Sequence, residues 1–421
     1  MRRLYAECGG SLRNFRDESE ERLSDYSMKM TVRDVDVSGK RVFVRVDFNV
    51  PFSGSGDISD DTRIKAVLPT IKYLVERKAR VVLASHLGRP KGKVVEDMRL
   101  SPVADRLGEL LGAPVKYVSE CVGPEAEKAV SGLNDGEVLL LENLRFHQEE
   151  EKNTAAFAEQ LAALADIYVN DAFGTAHRAH ASTEGITHFL PSVAGLLMEK
   201  ELSALGGLLT SPVHPFACVF GGAKVSDKVG MIKSMLARVD IVLVGGGLAA
   251  TFLKARGLEV GHSLVEDDSL DVARDILRES ELSGVPVLLP SDVLVSAEVK
   301  AGVKMRIVPV TNVPSDMGIV DIGPRTIDHF FSKLESCRTI MWNGPMGVYE
   351  VAQFSLGTKC LLTYLTALDA TTVIGGGSSV DAVHEMGLSE LVTHVSTGGG
   401  ATLELLENGT LPGVDALNDT P

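Results

Sequence analysis

RVVLASHLGRPKGK, residues 80–93, decides the fold. Arg80 opens an apolar run, Val81-Val82-Leu83-Ala84, and the next nine residues hold His86, Arg89, Lys91 and Lys93 without one carboxylate. The whole chain of 421 residues nevertheless carries a net charge of −15. A short, continuous apolar run reads as a strand buried on both faces. In open α/β sheets ligands gather beyond the carboxyl ends of such strands, so uncompensated positive charge there marks a candidate anion site. On this stretch alone, a solvated basic loop remains the competing reading.

The same pattern extends in both directions. Toward the N-terminus lies RVFVRVD (41–47), and toward the C-terminus lie EVLLLEN (137–143) and DIYVND (166–171). A second set follows: FACVF (216–220), DIVLV (240–244), VPVLL (285–289), RTIMW (338–342), TTVI (371–374) and LVTHVS (391–396). Longer helix-like stretches separate them. This alternation predicts an α/β protein with doubly wound parallel sheets. The length exceeds the roughly 250–300 residues at which one core stops growing, so two lobes are expected. No low-complexity linker divides them. The boundary falls near 190–210, where THFLPSVAGLLMEKELSALGGLL predicts a connecting helix rather than a tether.

Composition removes several classes of function. Hydrophobic residues make up 44% and charged residues 24%, as in ordinary globular proteins. No apolar run approaches the roughly 20 residues that span a bilayer, so no membrane partner is expected. The acidic balance argues against nucleic acid as a partner. The five cysteines are scattered and form no C-x-x-C pair, which fits free thiols in a reducing compartment, hence a cytoplasmic location, better than a disulfide framework or a zinc site. Residues 1–27 lack both a signal-peptide core and transit-sequence character. With the two residues that follow, 1–29 reads as a disordered extension or a misassigned start.

Other strand ends repeat the opening pattern. ENLRFHQEE places Arg145 and His147 after one strand, and NDAFGTAHRAHAS places His177, Arg178 and His180 after another. Arg63 opens a predicted helix, and RVDFNVP adds Asp47 and Asn49. Guanidinium forks fit phosphate and carboxylate oxygens bidentately, so several arginines from separate strands of one sheet indicate an anion site. The second half has glycine instead: GGAKVSDK (221–228), VGGGLAA (244–250), IGGGSSVD (374–381) and STGGGATLE (396–404). Glycine permits close backbone approach, and a following helix N-terminus offers N–H groups to phosphate. Four such loops, one with Lys224 and Lys228, predict a polyphosphate ligand.

Two motifs come close to known patterns. GRPKGK has three residues between its glycines where a Walker A loop needs four, and no Ser/Thr follows its lysine, so it is rejected. VGGGLAA satisfies G-x-G-x-x-A with Glu266 about twenty residues on, which keeps a nicotinamide-dependent oxidoreductase as an alternative. That alternative leaves the arginines of the first half without a purpose.

In order along the chain, RVDFNVP, SHLGRP, ENLRF, DAFGTAHRAHAS, GGAKVSDK, WNGPMGVYE and STGGGATLELLENGTLPGV resemble the phosphoglycerate kinase family, over about residues 30–417. The resemblance implies two Rossmann-like lobes joined by a helix, with the C-terminal tail returning to the N-terminal lobe. On that pattern 30–195 plus 404–421 form a lobe binding 3-phosphoglycerate, and 196–403 form a lobe binding nucleotide. It implies phosphoryl transfer between 1,3-bisphosphoglycerate and ADP, with Mg2+ accompanying ATP or ADP, in a monomer. Matched positions assign the acceptor to Asp47, Phe48, Asn49, Arg63, His86, Leu87, Gly88, Arg89, Arg145 and Arg178. They assign the nucleotide to Lys224, Lys228, Gly246, Asn343, Glu350, Gly376, Gly377, Ser378 and Ser379. Arg63, Lys224, Gly377 and Gly400 match the positions that stabilise the transferring group. Lys91 and Lys93 are read as solvated contributors to the field.

The residue chemistry agrees with this assignment. No Ser-His-Asp set, paired acid/base carboxylates or metal cluster stands out, and transfer to a carboxylate needs none, because the nucleophile is already ionised. Positioning and charge stabilisation remain, together with closure of the lobes to bring the reactants in line and exclude water. One position departs from the family: Ser378 stands where an Asp usually contacts the nucleotide's magnesium, so no protein ligand for the metal is assigned. Ser378 and Asp381 read either as a capping box or as a hydroxyl with a carboxylate behind it. A catalytically idle binding protein is the non-enzymatic alternative, against which the retained Arg63 and Lys224 argue.

Overall fold

The computed structural model describes residues 29–54 and 56–421, and the chain divides into two compact units. One comprises 29–203 together with Thr410–Pro421, and the other comprises Ala204–Gly409. The predicted extension lies outside the described residues except at its last position. Lys29 itself is held: its Nζ donates to the Asp415 and Leu417 carbonyls at 3.1 and 2.9 Å and pairs with Asp419 at 2.7 Å.

The first unit is built on β1 (Arg41–Arg45), β2 (Arg80–Ala84), β3 (Val115–Tyr117), β4 (Val138–Leu140), β5 (Ile167–Asn170) and β6 (Ser192–Ala194). They form one parallel sheet in the order β3-β4-β2-β1-β5-β6. Four of the five residues in β1 and in β2 are buried, as continuous apolar runs require when helices cover both faces. The helix Thr62–Glu76 turns Ile64, Val67, Ile71 and Leu74 inward, and Ser101–Leu111 adds Val103 and Leu107. Each such buried aliphatic side chain contributes about 1.5–3 kcal/mol. The second of these helices has proline in its first turn and stops at Gly112, whose φ of 68° is left-handed. β3 and β6, each only three residues long, were not legible as apolar runs.

The second unit contains β7 (Phe216–Phe220), β8 (Ile241–Val244), β9 (Val287–Leu288), β10 (Asp292–Ser296), β11 (Met305–Pro309), β12 (Gly318–Ile322), β13 (Thr339–Asn343), β14 (Thr371–Gly375) and β15 (His394–Val395). Six of them form a parallel sheet in the order β15-β14-β13-β7-β8-β9. Read from β9, this is the 3-2-1-4-5-6 order of dinucleotide-binding folds, and the order reverses between β7 and β13. In the first sheet the reversal falls between β1 and β5. The second unit also carries a three-stranded antiparallel sheet, β11-β10-β12, which parallel-only reasoning did not anticipate. Four of the five residues of β11 are exposed, so this segment lacks the buried apolar signature.

The helix Leu196–Thr210 carries the chain from one unit into the other, where a connecting helix was expected. Asp171 accepts from the Leu197 and Met198 amides at its start, at 2.9 and 3.0 Å. The C-terminal return also appears: Asn170 donates to the Gly413 carbonyl at 3.0 Å, and Ser192 donates to Asn418 at 2.7 Å. The crossing comes later than 404. Residues 404–408 continue the helix Gly400–Asn408, which packs on Val229–Leu236 and ends at Gly409, with φ 71°. A Cβ on Gly230 would lie 1.9 Å from the Glu407 carboxylate, so the two helices meet where Glu407 lies over Gly230.

Candidate active site

At the carboxyl edge of the first sheet, three strand ends are stapled together. Ser85 Oγ, after β2, accepts from the Phe48 amide after β1 at 2.8 Å. Asn49 accepts from the Gly88 amide at 2.9 Å. Asn143, after β4, holds Leu87 from both sides, accepting from its amide at 3.2 Å and donating to its carbonyl at 2.8 Å. It also accepts from the Arg145 amide at 3.1 Å. Thus ENLRF fixes SHLGRP, and both present their polar groups from a rigid edge.

Of the cations assigned from sequence, Arg63, Arg145 and Arg178 lie near enough to His86 to act on its charge. Arg63 pairs with Asp47 at 2.7 Å, so Asp47 orients a guanidinium rather than standing alone. Arg145 is 4% exposed and donates to the Gly88 carbonyl at 2.9 Å. Its Nε lies 3.3 Å from Glu151, but Nε and one terminal nitrogen are buried without a hydrogen bond. Burial pulls its pKa down to about 10 against the Glu151 charge, with Arg45 and Arg178 adding to the fall. His86 is 3% exposed; burial, then Arg45, Arg145, Arg178 and Arg63, hold it well below the usual histidine range. It is therefore a neutral group ringed by guanidinium charge. Arg178 is half-buried and donates to His177 at 3.1 Å, while Arg89, Lys91 and Lys93 are exposed. Phe48 and Leu87 lie in the core beneath the edge, at 0% and 4% exposure, with their amides committed to Ser85 and Asn143. Their side chains support the site rather than line it.

Sequence reasoning missed the buried layer below. Arg45 is fully buried: it donates to Ser182 Oγ at 2.8 Å and to the Val46 carbonyl, and lies 3.3 Å from His86 Nδ1. Ser182 in turn donates from Oγ and its amide to Glu150, at 2.6 and 3.0 Å. Burial raises the Glu150 pKa, while Arg45 opposes that rise. The missed signal was an arginine inside the apolar run RVFVRV, because a charge on a buried strand requires a buried partner.

The second unit presents backbone. Beyond β7, β8 and β13, the loops 221–222, 245–247 and 344–346 pack against one another. Gly246 has φ 62°, and its Cβ would lie 2.6 Å from the Pro345 carbonyl and 2.7 Å from the Gly222 nitrogen. Gly246 thus has a packing duty that the motif alone did not reveal. A cavity of about 320 Å³ opens there, lined by Gly222, Gly246, Val348, Glu350 and Ser378 among others. Lys228 donates to the Asn343 carbonyl at 2.9 Å and to its side-chain oxygen, and burial pulls its pKa down to about 8 against Asp227. Asn343 Nδ2 is buried without a hydrogen bond. Lys224 is exposed.

Glu266, the residue a dinucleotide motif would assign to ribose, is already engaged by its own chain. It accepts from the Val225 amide, from the Ser226 amide at 3.0 Å and from Ser226 Oγ at 2.6 Å, pinning GGAKVSDK. Against the upward push of partial burial, these bonds hold its pKa low. Gly377 and Gly400 open the helices Gly377–Glu385 and Gly400–Asn408, both are exposed, and neither helix has a side-chain cap. That arrangement corrects the capping-box reading. Ser378 lines the cavity instead, and the buried Ser379 accepts from the Gly344 amide at 2.8 Å. Ser379 is therefore a strut, and Asp381 is exposed.

The sequence pattern of the family described as "Phosphoglycerate kinase" matches residues 32–409. A protein of that name from Pelotomaculum thermopropionicum is 56% identical over 391 residues, covering 93% of this chain and 99% of its own. One from Moorella thermoacetica is 53% identical with the same coverage. Among solved structures, phosphoglycerate kinase from Coxiella burnetii is similar with a TM-score of 0.84 and 38% identity, covering 92% of this chain and 98% of its own. That from Pyrococcus horikoshii is similar at 0.82 and 35%, with the same coverage.

Proposed function

Because this chain belongs to the phosphoglycerate kinase family, and is a phosphotransferase between 1,3-bisphosphoglycerate and ADP, we propose how its residues divide that work. The first unit holds 3-phosphoglycerate. The observation that carries this is Arg145, whose buried guanidinium has two nitrogens without hydrogen bonds beside neutral His86. An anion supplying oxygens would complete the fork and offset the crowding of Arg45, Arg145 and Arg178. Arg63, held by Asp47, stabilises charge on the transferring group, and Arg89 and Arg178 complete the cation set.

The second unit holds nucleotide in the glycine-rich cavity, with Lys228 and Asn343 at the sheet's reversal point and Glu350 on the wall. The exposed amides that open the helices at Gly377 and Gly400, with Lys224, face developing phosphate charge. Ser378 gives the cavity a hard oxygen donor, which fits Mg2+ carried in on phosphate oxygens and water rather than caged by protein. When bound, the metal neutralises phosphate charge; the residues' own task is orientation. No side chain removes a proton, since the attacking carboxylate is already ionised. Each ligand group is assembled from this one chain, which supports a monomer. The cysteines Cys121, Cys218, Cys337 and Cys360 are free thiols, which supports a reducing, cytoplasmic setting. Among the described residues no helix is long and apolar enough to cross a membrane.

Calorimetric titration tests the assignment. Arg89→Ala should weaken 3-phosphoglycerate and leave ADP unchanged, and Lys228→Ala should do the reverse. Loss of both ligands in either variant would refute the division.

A further inference from the structure

One cluster in the first unit takes no part in the work described above. Glu120 and Cys121 follow β3, and His147 closes the turn Leu144–Phe146. Each offers one ligand atom, and these atoms lie within 4.8 Å of one another. His147 Nε2 stands 2.7 Å from Glu120 Oε1, and Glu120 Oε1 also accepts from the Cys121 amide at 2.9 Å. The thiol is fully buried, whereas the His147 and Glu120 side chains are 29% and 41% exposed. A cation can therefore enter past imidazole and carboxylate and end on sulfur.

We propose that Glu120, Cys121 and His147 form a binding site for a thiophilic divalent metal of the zinc class, with water in the fourth position. The donor set of one thiolate, one imidazole and one carboxylate matches borderline-soft metals and suits magnesium poorly. Ligand bonds of about 2.0–2.3 Å place tetrahedral ligands roughly 3.3–3.8 Å apart, so closing on the ion needs shifts of about 1 Å. The nearby carboxylates Glu142 and Glu150 make the pocket electronegative, which favours a cation. Binding releases the thiol proton, and the His147 imidazole ligates through an unprotonated ring nitrogen. His147 lies two residues after Arg145, so metal here anchors the segment that delivers that guanidinium.

The test uses the full chain without nucleotide and Co2+ as the probe. The parent should bind one equivalent, with a thiolate-to-cobalt charge-transfer band that Zn2+ abolishes by displacement. Cys121→Ser should lose the band, and Cys360→Ser should keep it. Glu120→Gln and His147→Gln should each weaken cobalt about 10-fold or more. No band in the parent, or a band surviving in Cys121→Ser, overturns the proposal. Should Cys121→Ser not fold, unchanged cobalt affinity in His147→Gln overturns it equally.

Discussion

The two six-stranded sheets end in opposite chemistries. Beyond the first, arginine side chains crowd one another and need a buried carboxylate, Glu150, to balance the deepest of them, through Ser182. Beyond the second, glycines bring three loops into backbone contact and leave a cavity walled largely by main chain and aliphatic carbon. A small, highly charged acceptor suits the first edge, where charge is concentrated and costly to bury. A nucleotide suits the second, where main-chain N–H groups meet phosphate without a charge to desolvate. Topology alone does not choose between these solutions, because both edges are switch points of parallel sheets.

The strongest way to break this contrast is to remove one transfer cation from each edge. Arg63→Ala and Lys224→Ala should each lower kcat about 10³-fold with KM changed only a few-fold, in a coupled assay. A kcat within a few-fold of the parent would remove that residue from the transfer step.

The edges should next differ in what they tolerate. Arg145→Lys keeps charge but loses the fork, and should raise KM for 3-phosphoglycerate about 10-fold while KM for ATP holds. Gly246→Ala keeps charge untouched but forces a Cβ into the Pro345 and Gly222 backbone. It should cost about 1–3 kcal/mol in denaturant unfolding and raise KM for ATP instead. Identical kinetic signatures for the two variants would erase the distinction.

Ser378 sharpens the contrast, since the second edge presents a neutral hydroxyl to its cavity rather than a carboxylate. Ser378→Asp should lower the Mg2+ concentration for half-maximal rate at fixed ADP, and Asp381→Asn should raise it if that carboxylate acts behind the serine. Superimposable magnesium curves would show that the position does not tune the metal.

A smaller effect should be common to both units. Asp171 and Asp321 are buried, each accepts amide hydrogen bonds, and burial lifts each pKa to about 7. Their folded pKa lies above the unfolded value, so the native state holds extra protons between about pH 4 and 7. Stability from these groups is present below that window, falls as pH rises through 7, and is flat beyond. Asp171→Asn or Asp321→Asn should reduce the fall in unfolding free energy between pH 5 and 8, by on the order of 2 kcal/mol each, read by denaturant unfolding. An unchanged slope would place both carboxylates' titration elsewhere.

Legibility followed burial. RVFVR, RVVLA and FACVF were readable because helices cover both faces of their sheets, leaving unbroken apolar runs. Val115–Tyr117 is only partly buried and Met305–Pro309 mostly exposed, so neither shows such a run. In the site, cations at strand ends announced themselves, but Asn143, Glu150 and Ser182 did not. Their duties depend on partners 32–137 residues away, which local pattern does not encode. Glu266 misled for the same reason, since its spacing fitted a ribose contact while its partners were the Val225 and Ser226 amides.

The double grip of Asn143 on Leu87 has a consequence for protein engineering. A loop held at both its N–H and its C=O by one side chain has no freedom of register, so SHLGRP and ENLRF behave as a single transplantable cassette. Grafting either peptide alone onto another parallel sheet would deliver its side chains without their alignment. A one-residue insertion in either would uncouple both.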